Sequence, residues 1–383
     1  MFLPWIGRRD LALILATFPD VSPPPADWVN QARARVFTDF ADYIRTASYG
    51  QATLGGSLFG PFPIQARSSY RGDFGPAVQD AVAAAGAAVA NFLFACVMLS
   101  ETGGRGWAYF GNPPIPPPQN TCWVDRDAPL GVVAMENVHA MTWFGDLYGQ
   151  PYSPGNWDNM DCSCGTHPSS FTKSKIGWLS PAIVQVQRTW WPPWGRTPVR
   201  LTLNDLARPP QAGRVQALRL DPPGLPSTQY YMVEARFRSD RFEQRTNVSS
   251  GIPGEGVVVY FIDEDPMRWP PVHLLTPNAL QVGGSFSEQR LGTAIRVIAA
   301  DATSRTVEIG SGVNLAPPPP RPRECDDLGA QEAELRAEIA DVQSQLPTAA
   351  PQDKANLMRE LRQLRAQLAA LQQRSTALGC GRV

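Results

Sequence analysis

The hydrophobic pattern of the first hundred residues alternates between continuous apolar runs and helical spacing. Within residues 1 to 20, the nearly unbroken apolar run is typical of an inner strand that is covered on both faces. Residues 27 to 45 have apolar side chains at helical spacing, and the alanine-rich residues 77 to 90 predict a second helix. Residues 92 to 99 predict another buried strand. This alternation predicts an α/β layout.

The pattern changes after this region. Residues 103 to 130 are rich in glycine and proline and predict a long loop, whereas residues 131 to 148 predict a helix. Between residues 181 and 311, short stretches of alternating polarity are separated by turn residues, which predicts an antiparallel β-sandwich.

The C-terminal pattern has coiled-coil spacing. A proline run over residues 316 to 322 predicts a stiff linker. Apolar side chains then recur at alternating spacings of three and four residues on both sides of a break at residues 347 to 351, which predicts an antiparallel helical hairpin. The hairpin would bring Cys325 and Cys380 together, and a disulfide there would contribute about 4 kcal/mol of stability. The sequence therefore predicts four parts: an α/β domain (residues 1–180), a β-sandwich domain (181–315), a proline-rich linker (316–323) and a helical hairpin (324–383).

Composition excludes several classes of protein. The chain has 383 residues and a net charge of −1, so nothing in its charge favours nucleic acid as a partner. It contains no run of 18 apolar residues, so we expect no transmembrane segment. The N-terminus is not a convincing signal peptide, because charged residues interrupt it before a short apolar run. We expect either a signal that has been removed or another export route.

The six cysteines bear on the cellular compartment. Cys122, Cys162 and Cys164 fall in predicted loops, which favours disulfides and an oxidising compartment, whereas Cys96 lies in an apolar run typical of a reduced core residue. The alternative is a metal site formed by the C-x-C pair with His167. A structural zinc site normally has a second ligand pair, so we favour disulfides.

The candidate chemistry lies on the predicted helix of residues 131 to 148. Glu136 and His139 occupy the positions of the base and the second imidazole in the zinc-protease signature H-E-x-x-H. Met135 stands at the position of the first imidazole. Asp146 follows seven residues after His139, at a spacing from which a carboxylate can return to a metal. The stretch therefore lacks one expected imidazole.

Motifs around this helix resemble the immune inhibitor A family of secreted zinc metallopeptidases. Trp157 to Met160 resembles the family's W-D-x-M turn, with Met160 beneath the metal, and residues 168–179 resemble its helix ending in K-x-x-L-G-W. The further similar segments are residues 11–20 (ending in F-P-D), 43–54 (S-Y-G-Q-x-x-L), 230–234 (Y-Y-L-V-E) and 253–260 (P-G-E-G-V-x-I-Y). The resemblance spans residues 10 to 265 and implies an α+β protein that begins with a zincin-like domain. It also implies that residues 103–130 edge a substrate cleft; a disulfide-tied cover loop is the alternative.

If this chain were an active member of the family, zinc would activate a water molecule and Glu136 would take the proton of that water. Catalytic zinc usually has three protein ligands, and the thioether of Met135 suits copper(I) better than zinc. His139 and Asp146 would therefore hold zinc weakly or not at all. Without a metal, Glu136 and His139 form a satisfied pair on a helix that packs in the core.

Two further departures concern the remaining ligands. The family's glycine between the second histidine and the aspartate is Thr142 here, which puts ligation by Asp146 in doubt. His167 is a candidate substitute ligand if the Met160 loop folds under the site.

The sequence therefore predicts a secreted or cell-surface metallopeptidase-like protein with impaired catalysis, which acts as a binding or assembly module for a protein or peptide partner. One alternative is an active zinc endopeptidase with an unusual ligand set. Another is a self-assembling surface or filament subunit that forms homo-oligomers through the C-terminal hairpin.

Overall fold

The computed structural model describes residues 2–109, 120–150, 152–187, 198–222, 224–265, 268–288, 291 and 294–310, and scattered residues between 328 and 371. The chain divides into two compact units, Met1–Leu315 and Ala316–Val383. The boundary predicted at residue 180 lies within the first unit. The fold is mixed α+β, with three sheets and short helices among the described residues.

The first sheet has five strands in the order β2-β1-β3-β5-β4. Strands β1, β2, β3 and β5 run parallel, and β4 pairs antiparallel with β5. Its strands are β1 (Gly7–Thr17), β2 (Ala52–Pro63), β3 (Phe94–Leu99), β4 (Gly106–Tyr109) and β5 (Asn120–Asp125).

From Leu11 to Ala16, strand β1 is buried on both faces, as its continuous apolar run predicts. Leu11, Leu13 and Leu15 face the first apolar core, whereas Ala12 and Ile14 face the second. The alternation follows from the two-residue period of a strand.

Helices cover both faces of this sheet. The alanine-rich helix α3 packs on the second core, and α1, α2, α4 and α6 contribute to the first. The helices are α1 (Trp28–Ala34), α2 (Ala41–Ala47), α3 (Gly75–Ala85), α4 (Leu130–Thr142), α5 (Asn159–Cys162) and α6 (Ser170–Lys175). A π-helical turn, Arg35–Phe40, joins α1 to α2.

Two further sheets follow, with the strand orders β11-β10-β9-β8-β6 and β12-β13-β14-β7. They share a third apolar core. Their strands are β6 (Val184–Gln187), β7 (Val199–Asn204), β8 (Ala217–Leu220), β9 (Gln229–Arg236), β10 (Gly256–Asp263), β11 (Val272–Leu274), β12 (Ser285–Ser287), β13 (Ala294–Ala300) and β14 (Ser304–Gly310).

The central strands of the second sheet join the two halves of the first unit. In β9, Met232 faces the first core and Val233 faces the third. In β10, Tyr260 faces the first core and Val259 faces the third. The first core therefore lies between the first and second sheets, and the third core between the second and third sheets.

Two predictions about this unit are corrected. Residues 103–130 are not a structureless loop, because they contain β4 and β5. The second sheet is not wholly antiparallel, because β6 pairs parallel with β8. Strands β4, β5 and β6 have four to six residues each. These stretches are too short for their hydrophobic pattern to establish a strand period.

The described residues of the second unit are helical, and three of them, Leu328, Val342 and Leu361, are buried. The predicted linker, Cys325 and Cys380 lie outside the described residues. Among the helices that the structure describes, none is both long and apolar enough to cross a membrane.

Candidate functional site

Helix α4 carries the candidate site, and the start of the chain completes its C-terminal end. The last carbonyls of a helix have no partner within the helix. Here the backbone N–H of Leu3 donates to Thr142 O at 2.7 Å. The Arg9 guanidinium donates to Met141 O. Burial lowers the pKa of Arg9 to about 10. The N-terminal residues thus hold α4 at the end nearest the site.

The helix ends earlier than predicted, at Thr142 rather than near residue 148. Trp143 adopts the left-handed conformation, with φ 61°, that glycine usually supplies at a helix end. The turn at Trp143 returns the chain toward α4 without the family's glycine. Asp146 consequently comes back to His139, despite Thr142.

The His139 ring is held at both nitrogens. Its Nδ1 hydrogen-bonds with Phe144 O, and its Nε2 lies 2.8 Å from Asp146 Oδ1. Burial alone would lower the pKa of His139, but the hydrogen bond to Asp146 and the charges of Asp146 and Glu136 raise it. Because both nitrogens face oxygen acceptors, the imidazolium form fits this environment best.

Glu136 lies beside this pair and behind strand β4. It is 8% exposed, and a Cβ atom at Gly106 would lie 2.6 Å from its Cγ. Burial raises the pKa of Glu136 to about 7; the charge of His139 opposes this shift and that of Asp146 adds to it. Glu136 can therefore bind or release a proton near neutral pH.

The segment that carries Asp146 rests on the predicted Met-turn. The backbone N–H of Leu147 donates to Met160 O at 2.9 Å, and the Met160 side chain is fully buried. The carboxylate of Asp158 caps α5 by accepting from the backbone N–H of Met160 at 2.8 Å. It also accepts from the backbone N–H of Ser169, before α6, at 2.9 Å. Met160 thus supports the segment that carries Asp146.

Met135 lies one turn before His139 and is packed in the first core. The Ser163 hydroxyl donates to Met135 Sδ at 2.9 Å. A Cβ at Gly131, one turn earlier, would lie 2.0 Å from Ser163 O. The Ser163 loop therefore lies directly on this face of α4. It covers the position at which the signature would have its first imidazole.

These side chains do not fit a resident catalytic zinc ion. Zinc prefers three nitrogen, oxygen or thiolate donors from the protein. Here Met135 supplies a thioether that is engaged by Ser163, which leaves His139 and Asp146 to converge. Within the described ranges, no group of three or more histidine, cysteine, aspartate or glutamate side chains could hold a metal ion.

His167 is not brought to the site, which corrects its prediction as a substitute ligand. Its Nε2 lies 2.7 Å from Asp240 Oδ2, and its ring stacks on Tyr43 with centroids 6.0 Å apart. Its backbone N–H donates to Glu243 at 2.8 Å. His167 belongs to a separate buried cluster of charges.

Arg236 is the centre of that cluster, which sequence reasoning missed. Its guanidinium donates twice to Glu243, at 2.8 and 3.0 Å, and once to Glu234 at 3.0 Å. It also donates to the carbonyls of Trp157 and His167. All five of its donors are used. The cluster ties the second sheet to the Met-turn segment.

Two of the three loop cysteines predicted to form disulfides, Cys162 and Cys164, form one with each other. Cys122 lies in β5, not in a loop, and is buried opposite Cys96 of β3. The prediction that Cys122 lies in a loop was wrong. Cys122 is not disulfide-bonded in the described part of the chain. Cys96 is a free core residue, as expected.

An exposed face beside Asp146 also escaped the sequence analysis. The Tyr148 hydroxyl hydrogen-bonds with Asp146, and burial followed by this hydrogen bond raises the pKa of Tyr148 to about 12. The indole N–H of Trp269 donates to Asp146 O at 2.8 Å. Both rings are more than 40% exposed. Trp269 lies far along the chain, so no local spacing could have indicated it.

The chain matches no protein-family model and no curated protein. The resemblance to immune inhibitor A peptidases therefore remains a prediction from the motifs quoted above.

Proposed function

We propose that this protein is a metallopeptidase-like binding module whose α4 site no longer holds a catalytic zinc ion. The supporting observation is the pairing of Met135 Sδ with Ser163 Oγ at 2.9 Å. A histidine ligand would need this position to be open. Instead, the serine loop covers it, and the one remaining imidazole is satisfied by Phe144 and Asp146.

The surface that would bind a partner is the outer edge of β4. In the described part of the chain, β4 ends the first sheet. The backbone N–H of Asp125 donates to Arg105 O at 2.8 Å. Counting along the antiparallel register, the amides of Gly106 and Ala108 then point away from β5. These amides can pair with an extended peptide by β-strand addition.

Charge and aromatic surface lie next to this edge. Glu136 contacts the backbone at Gly106, and the Asp146 carboxylate is 38% exposed beside Tyr148 and Trp269. These groups would give side-chain contacts to a peptide that is held by its backbone. The partner class that fits is an extended polypeptide segment.

Metal content tests the loss of the zinc site. We expect the purified protein to hold far less than one zinc per chain by elemental analysis. The Met135→His variant should gain zinc. The Met135→His/Ser163→Ala double variant should gain more, because the alanine opens space over the new imidazole. The single Ser163→Ala variant is the control. One tightly bound zinc in the natural protein would instead support the alternative, an active endopeptidase with an unusual ligand set.

Peptide binding tests the module itself. We expect the fluorescence anisotropy of labelled decapeptides of random sequence to rise when the protein is added. Ala108→Pro should abolish this change, because proline removes the outward amide. Trp107→Val is the matched control, because its amide faces β5 and its side chain is exposed. Equal binding by the proline variant would contradict the proposal.

A further inference from the structure

The Cys162–Cys164 disulfide closes a very short ring, since the two cysteines are two residues apart. The entropic stabilisation that a disulfide gives a protein decreases as the closed loop shortens. This bond also joins no two distant elements, because it connects the end of α5 to the next loop. Stapling the fold is therefore a poor explanation for it.

The residue inside the ring has an unfavourable backbone conformation. Ser163 has φ 51°, in the left-handed region. A residue with a Cβ is disfavoured there, so the oxidised ring contains a strained residue. Ser163 is also the C-cap of α5, where its backbone N–H donates to Asn159 O at 3.0 Å. Opening the ring would remove one of the two constraints that hold this conformation. Strained disulfides are the ones that thiols reduce most easily.

The two cysteines have a hydrogen-bond donor near their sulfur atoms. Cys162 and Cys164 are both partly exposed. The Thr166 hydroxyl oxygen lies 3.2 Å from Cys164 Sγ and 4.0 Å from Cys162 Sγ. A hydroxyl that donates to a thiolate stabilises the sulfur that leaves during exchange. Both properties favour reversible reduction.

The ring is in contact with the site helix. Ser163 Oγ donates to Met135 Sδ, and Ser163 O leaves no room for a Cβ at Gly131. Asn159 strengthens the contact: its side chain donates to Gly131 O at 3.0 Å and accepts from Gly165 N at 2.7 Å. A change in the ring would therefore reach α4 directly.

We propose that Cys162–Cys164 is a redox-active disulfide and that its reduction by a small thiol releases the Ser163 loop from Met135. One thiolate attacks a ring sulfur, which breaks the Cys162–Cys164 bond and forms a mixed disulfide. A second thiolate attacks the small-thiol sulfur of the mixed disulfide. This step forms the oxidised reductant and releases the second cysteine as a thiolate. The two protons of the reductant end on Cys162 and Cys164. This inference is independent of peptide binding.

The redox equilibrium tests the first part. The intact protein is equilibrated in mixtures of reduced and oxidised glutathione, its free thiols are alkylated, and the modified peptide is measured by mass spectrometry. We expect half-reduction while the protein remains folded. Ser163→Gly should make reduction about five-fold less favourable, because glycine removes the left-handed strain.

Ser163→Ala is the matched control for this titration. It removes the hydroxyl but keeps the Cβ and therefore the strain, so it should not reproduce the shift of the glycine variant. A disulfide that opens only when the protein unfolds would overturn the proposal. Equal shifts in the glycine and alanine variants would also overturn it.

Methionine oxidation tests the contact with α4. In the Cys162→Ser/Cys164→Ser variant, hydrogen peroxide should convert Met135 to its sulfoxide several-fold faster than in the oxidised natural protein. Met160, which is fully buried, is the internal control for folding. If both methionines react faster, the measurement is repeated on reduced and alkylated natural protein. An unchanged Met135 rate in folded protein would show that the ring does not control access to α4.

Discussion

Among single residues, Lys173 carries a charge that its surroundings disfavour. It is fully buried, and its Nζ donates to the Tyr49 hydroxyl at 3.1 Å and to Leu206 O at 3.0 Å. Burial, assisted by the charge of Arg236, lowers the pKa of Lys173 to about 7. An exposed lysine has a pKa of about 10.4.

This difference predicts a dependence of stability on pH. Between pH 7 and about 10 the unfolded chain binds more protons at Lys173 than the folded chain, so the free energy of unfolding rises with pH. Relative to Lys173→Met, the natural protein should gain about 1 kcal/mol per pH unit in this window. Urea denaturation of both proteins at pH 7, 8 and 9 measures the difference.

The control for this prediction is Lys175→Met, which removes an equal charge from the same helix at a partly exposed position paired with Glu264. The free energies of unfolding of the natural protein and Lys173→Met are compared across this pH range. If their difference stays constant with pH, Lys173 keeps its proton in the folded protein.

Lys173 also shows what sequence motifs can and cannot reveal about residues. Asp158, Lys173 and Glu234 stand in the segments that carry the family resemblance, and the structure buries all three completely. The motifs indicated the segments in which these residues lie, whereas the contacts among the segments come from the structure. Their roles depend on partners such as Arg236 that are distant in sequence, and one sequence does not show which polar residues are buried together.

At the scale of elements, the contact between α4 and the Ser163 loop leaves no space. The Gly131→Ala variant would place its Cβ 2.0 Å from a backbone oxygen that cannot rotate away. We expect a loss of about 1–3 kcal/mol in the free energy of unfolding, because α4 or the loop must shift. Thermal and urea denaturation measure this loss.

Gly254→Ala is the matched control, because no atom lies within 4 Å of a Cβ built there. It should leave stability nearly unchanged. If both variants are equally stable, the loop is not packed on α4 as described, and the coupling between the disulfide ring and Met135 fails with it.

Element boundaries were harder to predict than element types. The periodicity of residues 131–148 indicated the helix, but its end at Thr142 depends on Trp143 adopting a left-handed conformation, for which tryptophan gives no sequence signal. Conversely, β1 was predictable because its eleven residues include a long apolar run. Strand β4 has four residues and depends on its partner β5.

For the whole molecule, the division after Leu315 predicts that the first unit folds alone. A chain truncated after Leu315 should unfold in one cooperative transition. Its melting temperature should change by less than about 2 °C, because 1 kcal/mol shifts it by roughly 2–4 °C in a domain of about 150–250 residues and by less in a larger one. Scanning calorimetry measures both.

The same truncation tests assembly through the predicted hairpin. Under the alternative of a self-assembling subunit, the full chain should associate with increasing concentration in sedimentation experiments, and the truncated chain should remain monomeric. Monomers in both cases would refute the hypothesis of a self-assembling subunit. A large fall in the melting temperature after truncation would instead show that the first unit requires the second.

The arrangement of the first core has a consequence for synthesis on the ribosome. This core contains Leu11 from β1 and Ile262 from β10. At roughly 5–20 residues per second, the ribosome needs on the order of ten seconds to a minute to make the chain between them. During that interval the nascent chain presents apolar surface without its final cover. The apolar side chains of β1 therefore wait for β10 before the first core can be completed.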